Sequence, residues 1–179
     1  AGVALVMMVA CAGGGSPPRA SQTQAPPPAP TPAASAPAAA DALPLGSKPL
    51  EGGCGKTEIH KGGVLPDWAS VNAPKFLPYV VATPGIAVGY LFSYPLTAGL
   101  NANTKVLWYV GMPRGRSTLI AEGHRLAATE PIARFSKAAD SGPGEIYPTG
   151  PTVPSAGCWH FTLTWQEGAQ RADVDLLFT

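Results

Sequence analysis

The chain has 179 residues, with 21 Gly, 21 Pro, three Cys, 13% charged side chains and a formal net charge of +1. Near-zero net charge removes the electrostatic basis for a nucleic-acid partner or for attraction to an anionic membrane surface. No apolar run approaches the roughly 18 residues of a transmembrane helix, and the length allows one domain with a tail.

Residues 1–11 read as an address rather than as part of a fold. Ten apolar or small residues precede Cys11, with Ala10 directly before it, as at the end of a signal-peptide h-region. The charged n-region is absent, so the segment is expected to be the end of an N-terminally truncated signal. Met8-Val9-Ala10-Cys11 resembles the lipobox of bacterial lipoproteins, with Met8 where Leu is commonest. That resemblance implies cleavage before Cys11 and a lipid on its thiol. It places the protein outside the cytoplasm, anchored to the outer face of a bacterial membrane. The competing readings are a buried strand or helix, or an ordinary cleaved signal that leaves a free thiol. A free thiol is a liability in an oxidising compartment.

A spacer follows over 12–50. It contains ten Pro and eleven Ala, and its only charges are Arg19, Asp41 and Lys48. Such a segment cannot bury enough surface to offset its chain entropy, so it is expected to be a disordered, polyproline-biased linker. No basic residue flanks its main proline cluster, Pro26 to Pro32, as an SH3-type ligand would require, so a spacer is the preferred reading.

Residues 51–179 form the domain, with ten basic and ten acidic side chains. Ile86 to Tyr94 and Thr104 to Val110 are rich in β-formers, and 117–122 and 132–135 are shorter candidates. Pro148 and Pro151 interrupt 145–152, which restricts that segment to an edge or a bulged strand. In 157–165, Trp159, Phe161, Leu163 and Trp165 alternate with Cys158, His160, Thr162 and Thr164. In 171–178, Val174, Leu176 and Phe178 oppose Asp173 and Asp175. Period-2 alternation on both sides of a short Gly-containing turn predicts a hairpin. No twelve-residue window carries a sound helical period. About seven short strands between Gly/Pro turns predict an all-β, antiparallel, immunoglobulin-like β-sandwich preceded by the Pro/Ala-rich tether.

In an exported protein, Cys54 and Cys158 are expected to pair, tying the N-terminal segment of the domain to the C-terminal hairpin. Closing a loop of about 105 residues adds roughly 4–5 kcal/mol on chain-entropy grounds. Because Cys54 stands ahead of the first strand recognised above, the bridge is not expected to be the usual inter-sheet disulfide.

Pro154-Ser155-Ala156-Gly157-Cys158-Trp159 leads into the Thr/Leu strand and the Asp-Val-Asp-Leu hairpin. With Lys105 to Val110 and Gly144 to Pro148, it resembles a group of uncharacterised bacterial lipoproteins that end in a Pro-x-x-Gly-Cys-Trp strand hairpin. The resemblance covers most of 54–179. It implies an envelope location and a β-sandwich, and it supplies no activity and no catalytic residue.

The residues themselves add little chemistry. Gly52 to Thr57 lacks the first glycine of a P-loop, because position 50 is Leu50, and no strand–loop–helix context surrounds it. His60, His124 and His160 show no ligand spacing. Glu58, His60 and His160 would approach one another through the disulfide, yet solvated polar positions are the preferred reading over a metal set. Asp173 and Asp175 likewise read as a solvated face rather than an acid/base pair. No catalytic residue, metal or cofactor is expected. Trp68 stands in a loop-like stretch, and Phe76, Tyr79 and Tyr147 sit near prolines; Trp68, Phe76 and Tyr147 are the candidate ligand contacts, against the alternative that Trp68 plugs an open end of the core. The expectation is a binding or adhesion module for an unidentified envelope ligand or protein. A structural or assembly accessory is the alternative, and an enzyme of unfamiliar type is a third reading.

Overall fold

The C-terminal hairpin forms where the alternation places it. β9 (Gly157–Trp165) pairs antiparallel with β10 (Gln170–Phe178) from Trp165↔Gln170 to Gly157↔Phe178. The four residues between them turn with Gln166, Glu167 and Gly168 all at positive φ. Trp159, Phe161 and Leu163 are fully buried and Trp165 nearly so, and Ala172, Val174, Leu176 and Phe178 are buried beside them.

This computed structural model describes residues 45–99, 104–111, 114–139 and 146–179. The expectations for the signal segment, for Cys11 and for linker residues 12–44 fall outside those residues. The remaining elements are β1 (Lys48–Cys54), β2 (Thr57–Lys61), the single-turn α1 (Asp67–Ser70), β3 (Tyr79–Ala82), β4 (Ala87–Leu91), β5 (Val106–Val110), β6 (Leu119–Arg125), β7 (Ala133–Lys137) and β8 (Ile146–Thr149). They build two antiparallel sheets, ordered β1-β2-β3-β4-β5-β8 and β10-β9-β6-β7. The seven strands expected from sequence correspond to β4 through β10, and β1, β2 and β3 precede them. β1 begins at Lys48, so it includes residues 48–50, which the sequence reading gave to the linker.

The two sheets pack face to face over one core. The six-stranded sheet contributes Ile59, Val80, Leu91, Val106, Trp108 and Val110, and the four-stranded sheet contributes Leu119, Ala121 and the apolar face of the hairpin. An aromatic ring opposes a glycine in each sheet. Trp108 is the register partner of Gly89, and a Cβ built on Gly89 would lie 2.6 Å from Trp108 Cζ3. Phe161 opposes Gly123, where a Cβ would strike the ring. In both places the missing side chain is the space the ring occupies.

β4 is buried at all five positions, because the outer face of the six-stranded sheet is also covered. The segment 62–77, carrying α1, lies across that face and forms a second cluster from Ala69, Tyr79, Val88, Tyr90 and Tyr109.

The sheet edges are protected against pairing with another chain. β8 is an edge strand containing Pro148, as its prolines require. β1 carries Pro49 and a register irregularity between Leu50 and Cys54. β7 is short and bears Arg134 and Lys137. β10 is bonded along its edge: Thr83 and Asp173 exchange two backbone hydrogen bonds of 2.8 Å, the Asp175 N–H donates to Thr57 Oγ1 at 2.8 Å, and the Thr179 N–H donates to the Leu96 carbonyl at 2.9 Å.

The disulfide joins Cys54 and Cys158 with Cα atoms 5.8 Å apart across a separation of 104 residues. Cys54 is the last residue of β1 rather than a residue ahead of the first strand, so the bridge does connect the two sheets. Cys158 alternates onto the outer face of β9, away from the aromatic core. The β1–β2 turn therefore reaches over the β10 edge and is fastened on the outside of the four-stranded sheet.

Candidate functional site

Two places on the domain gather chemistry-bearing side chains. The first lies under the covering segment. Tyr79, Tyr90 and Tyr109, from β3, β4 and β5, stand side by side on the outer face, with ring centres 5.7 and 5.5 Å apart. His60 on β2 stacks on Tyr79 at 5.7 Å and extends the row. The Tyr79 hydroxyl donates to the Gly62 carbonyl at 2.9 Å and the Tyr90 hydroxyl to the Ala69 carbonyl at 2.8 Å. These two bonds fasten the start and the middle of the covering segment to the sheet. Burial pushes the pKa of all three tyrosines up, most strongly at Tyr90, where Tyr109 and Tyr79 add to the effect. The hydroxyls therefore remain protonated donors near neutral pH.

Between cover and sheet lies a cleft of about 290 Å³ with Tyr79 and Tyr90 at its floor and Val64, Leu65, Asp67 and Lys75 among its walls. That is close to the lower end of small-molecule sites. Leu45, Val64, Val71 and Phe76 are large apolar side chains left exposed on or beside the cover, Val64 by 71% and Phe76 by 74%.

Of the three aromatics singled out from sequence, two belong to this region. Trp68, in α1, is half-buried, and a Cβ on Gly111 would lie 2.9 Å from its indole. Trp68 thus packs onto the outer face of the sheet and holds the cover down, rather than plugging an end of the core. Phe76 is exposed beside Lys75. Tyr147 is a correction: it points from β8 into the main core, is 0% exposed and donates its hydroxyl to the Ser117 carbonyl at 3.2 Å. Its alternation against Ile146 and Pro148 turns it inward, so no surface ligand reaches it. The residue missed was Tyr90, whereas Tyr79 was noted beside a proline without being taken as a contact. The sign of Tyr90 was present in β4, where Ala87, Gly89 and Leu91 alternate with Val88 and Tyr90 and neither set is polar. A strand apolar on both faces implies a second covered face.

The second place is the outer face of the four-stranded sheet. His160 Nδ1 lies 2.7 Å from Asp175 Oδ1, and its ring is 5.7 Å from that of His124 on β6. Asp175 is only 7% exposed, which corrects the expectation of a solvated carboxylate pair. The β1–β2 turn covers it, and the Lys56 N–H donates to Asp175 Oδ2 at 2.7 Å. Asp173 accepts from Thr162 Oγ1 at 2.7 Å and from Arg171 at 3.1 Å. An open groove of about 450 Å³ adjoins this network, with Glu122, His124, Thr162 and Arg171 among its walls. Among the described residues, no group of three or more His, Cys, Asp or Glu side chains is placed to hold a metal ion, and Glu58, His60 and His160 are not assembled into such a group.

Burial opposes ionisation of Asp173, but the hydrogen bonds from Thr162 and Arg171 and the charges of Arg171 and His160 outweigh it, so its pKa is lowered from 3.8. A carboxylate with a depressed folded-state pKa contributes stability that is fully present above its unfolded value. That contribution is lost as pH falls through the folded value. Asp173→Asn is therefore expected to lose stability at pH 7 and to show a smaller further loss below pH 4 than the parent. Thermal melts from pH 7 to 2.5 measure both; parallel curves for the two proteins would contradict the assignment.

Compared with known protein families and with curated proteins, the chain matches none. Among solved structures it is similar to a crystal structure of a presumed lipoprotein from Bacillus anthracis, at 19% identity and a TM-score of 0.35, over 58% of this chain and 81% of the other. Among the described residues, no helix is long and apolar enough to cross a membrane.

Proposed function

We propose that the chain is a lipid-anchored protein of the bacterial cell envelope, and that its β-sandwich binds a ligand in the cleft above Tyr79 and Tyr90 rather than catalysing a reaction. The cleft carries this reading. It combines a rigid aromatic floor, a cover fastened by two tyrosine hydroxyls, one wall charge of each sign and exposed apolar side chains at its rim. Such a surface contacts without reacting, because among the described residues no nucleophile paired with a base lines it. Export is supported by the Cys54–Cys158 disulfide, which persists in oxidising compartments. The anchor is supported by the lipobox-like Met8-Val9-Ala10-Cys11 and the Pro/Ala-rich spacer behind it.

Two measurements test the two halves. Mass spectrometry of the protein extracted from membranes is expected to find an acylated Cys11 at the new N-terminus; a soluble chain with a free Cys11 thiol would end the anchoring reading. For the cleft, a panel of soluble envelope glycan and peptide fragments is titrated into the full chain and followed by NMR shifts. Val64→Arg fills the cleft mouth at an exposed position where folding cost is small. It is expected to weaken the ligand found by about 10-fold or more. Unchanged affinity in Val64→Arg would move the site elsewhere.

A further inference from the structure

His124 and His160 are register partners on β6 and β9, so both imidazoles stand on the outer face of the four-stranded sheet, with ring centres 5.7 Å apart. One nitrogen of each ring is committed. His124 Nδ1 lies 2.9 Å from the Arg125 carbonyl oxygen, and His160 Nδ1 lies 2.7 Å from Asp175 Oδ1. Carbonyl and carboxylate oxygens only accept, so both Nδ1 atoms carry a proton and donate it. In the neutral rings both Nε2 atoms then hold a lone pair. An imidazole fixed through Nδ1–H to a carboxylate or carbonyl, with Nε2 available, is the arrangement that supports metal-ligating histidines.

The spacing of the two rings is compatible with a shared ion. Asp173 Oδ1 is 3.6 Å from His160 Nε2, too far for a hydrogen bond. Two ligands bonded at about 2.1 Å to one tetrahedral ion are themselves about 3.4 Å apart, and the centres of two imidazole rings on it are roughly 5 Å apart. Thr162 and Arg171 hold Asp173 Oδ1 in its place. The Arg171 guanidinium stands against the same carboxylate and tempers its attraction for a cation. The groove beside His124, Thr162 and Arg171 is open to solvent and has room for water ligands.

We infer that His124 Nε2 and His160 Nε2 form a two-imidazole site for a borderline divalent transition-metal ion of the zinc or copper class, with water completing the coordination. The site is a pair of imidazoles, because among the described residues no third His, Cys, Asp or Glu side chain stands with them as a ligand. Imidazole nitrogen selects zinc and copper over magnesium and calcium. Asp175, buried under the β1–β2 turn, orients the His160 ring without touching the ion, which makes it a positioning residue.

The test uses the full chain with its disulfide intact and with Cys11→Ser, so that no free thiol competes. Zinc alone is titrated calorimetrically at neutral pH. One ion per chain is expected, with magnesium giving no heat. His124→Gln and His160→Gln should each weaken zinc by at least about 10-fold, Asp175→Asn by about 10–100-fold, and His60→Gln should leave it unchanged. His124 is only half-buried and its single ring bond is to a backbone carbonyl, so its glutamine variant is expected to keep the parent melting curve without zinc. Absence of one-to-one binding, unchanged affinity in His124→Gln, or equal loss in His60→Gln would each overturn the assignment.

Discussion

Replacing both bridge cysteines, Cys54→Ser with Cys158→Ser, is expected to lower stability by about 4–5 kcal/mol, the loop-entropy value for a ring of roughly 100 residues. The native bridge spans a separation of 104 residues, so β2 through β8 lie inside the ring and the C-terminal hairpin lies almost wholly outside it. The effect falls first on β1 and β2. Their turn lies over the β10 edge, and without the bridge it is held there by the Lys56 N–H on Asp175 and by Thr57 on the Asp175 N–H. Each such bond contributes about 0.5–3 kcal/mol, the larger values where the partner is charged. The clamp therefore weakens without being abolished. Urea unfolding should show the lower midpoint, and hydrogen exchange should show 48–61 losing protection ahead of the hairpin. A loss under about 1 kcal/mol would mean that Asp175, rather than the disulfide, fastens the turn.

What the sequence disclosed, and what it concealed, follows from where polar and apolar side chains meet water. β9 and β10 were legible residue by residue, because one face is solvated and the other faces the core. β8 was placed at an edge by Pro148, because a proline cannot complete a central ladder. β1 and β2 were concealed for a physical reason. Lys48–Cys54 buries no residue fully and Thr57–Lys61 only Ile59, so neither shows a clean alternation. They are strands because they are bonded to β3 and stapled to β9, both tertiary facts. β3, only four residues long, is mostly buried on both faces and offers no polar contrast. The Cys54–Cys158 pairing was readable from the cysteine count, yet its inter-sheet character was not, since that required recognising β1. The aromatics divided in the same way. Trp68 and Phe76 were found in the covering segment because prolines flank it, whereas the prolines near Tyr147 mark an edge strand whose alternate residues point inward. Asp175 misled because its alternation is that of a solvated position; only the turn folded over it from 118 residues earlier in the chain, through Thr57, makes it buried.

Phe161→Ala is expected to cost about 3–5 kcal/mol, toward the upper end of the range for aromatic truncation. The ring is fully buried and lies against Gly123, so removing it exposes a position that has no side chain of its own to relax into the gap. The other walls are rings. Phe135, Phe178 and Trp159 have their centres 5.5, 6.3 and 6.4 Å from it. Trp159 is pinned by its indole N–H on the Ser155 carbonyl at 2.9 Å, and Phe178 lies in the paired β10, so these walls cannot collapse far. The cost then includes the cavity as well as the lost transfer energy. Phe76→Ala supplies the comparison within the same protein: with 74% of that residue exposed, truncation should stay within about 0.5 kcal/mol. Denaturant midpoints at constant slope measure both. Similar costs for the two would mean that the interior around Gly123 repacks freely.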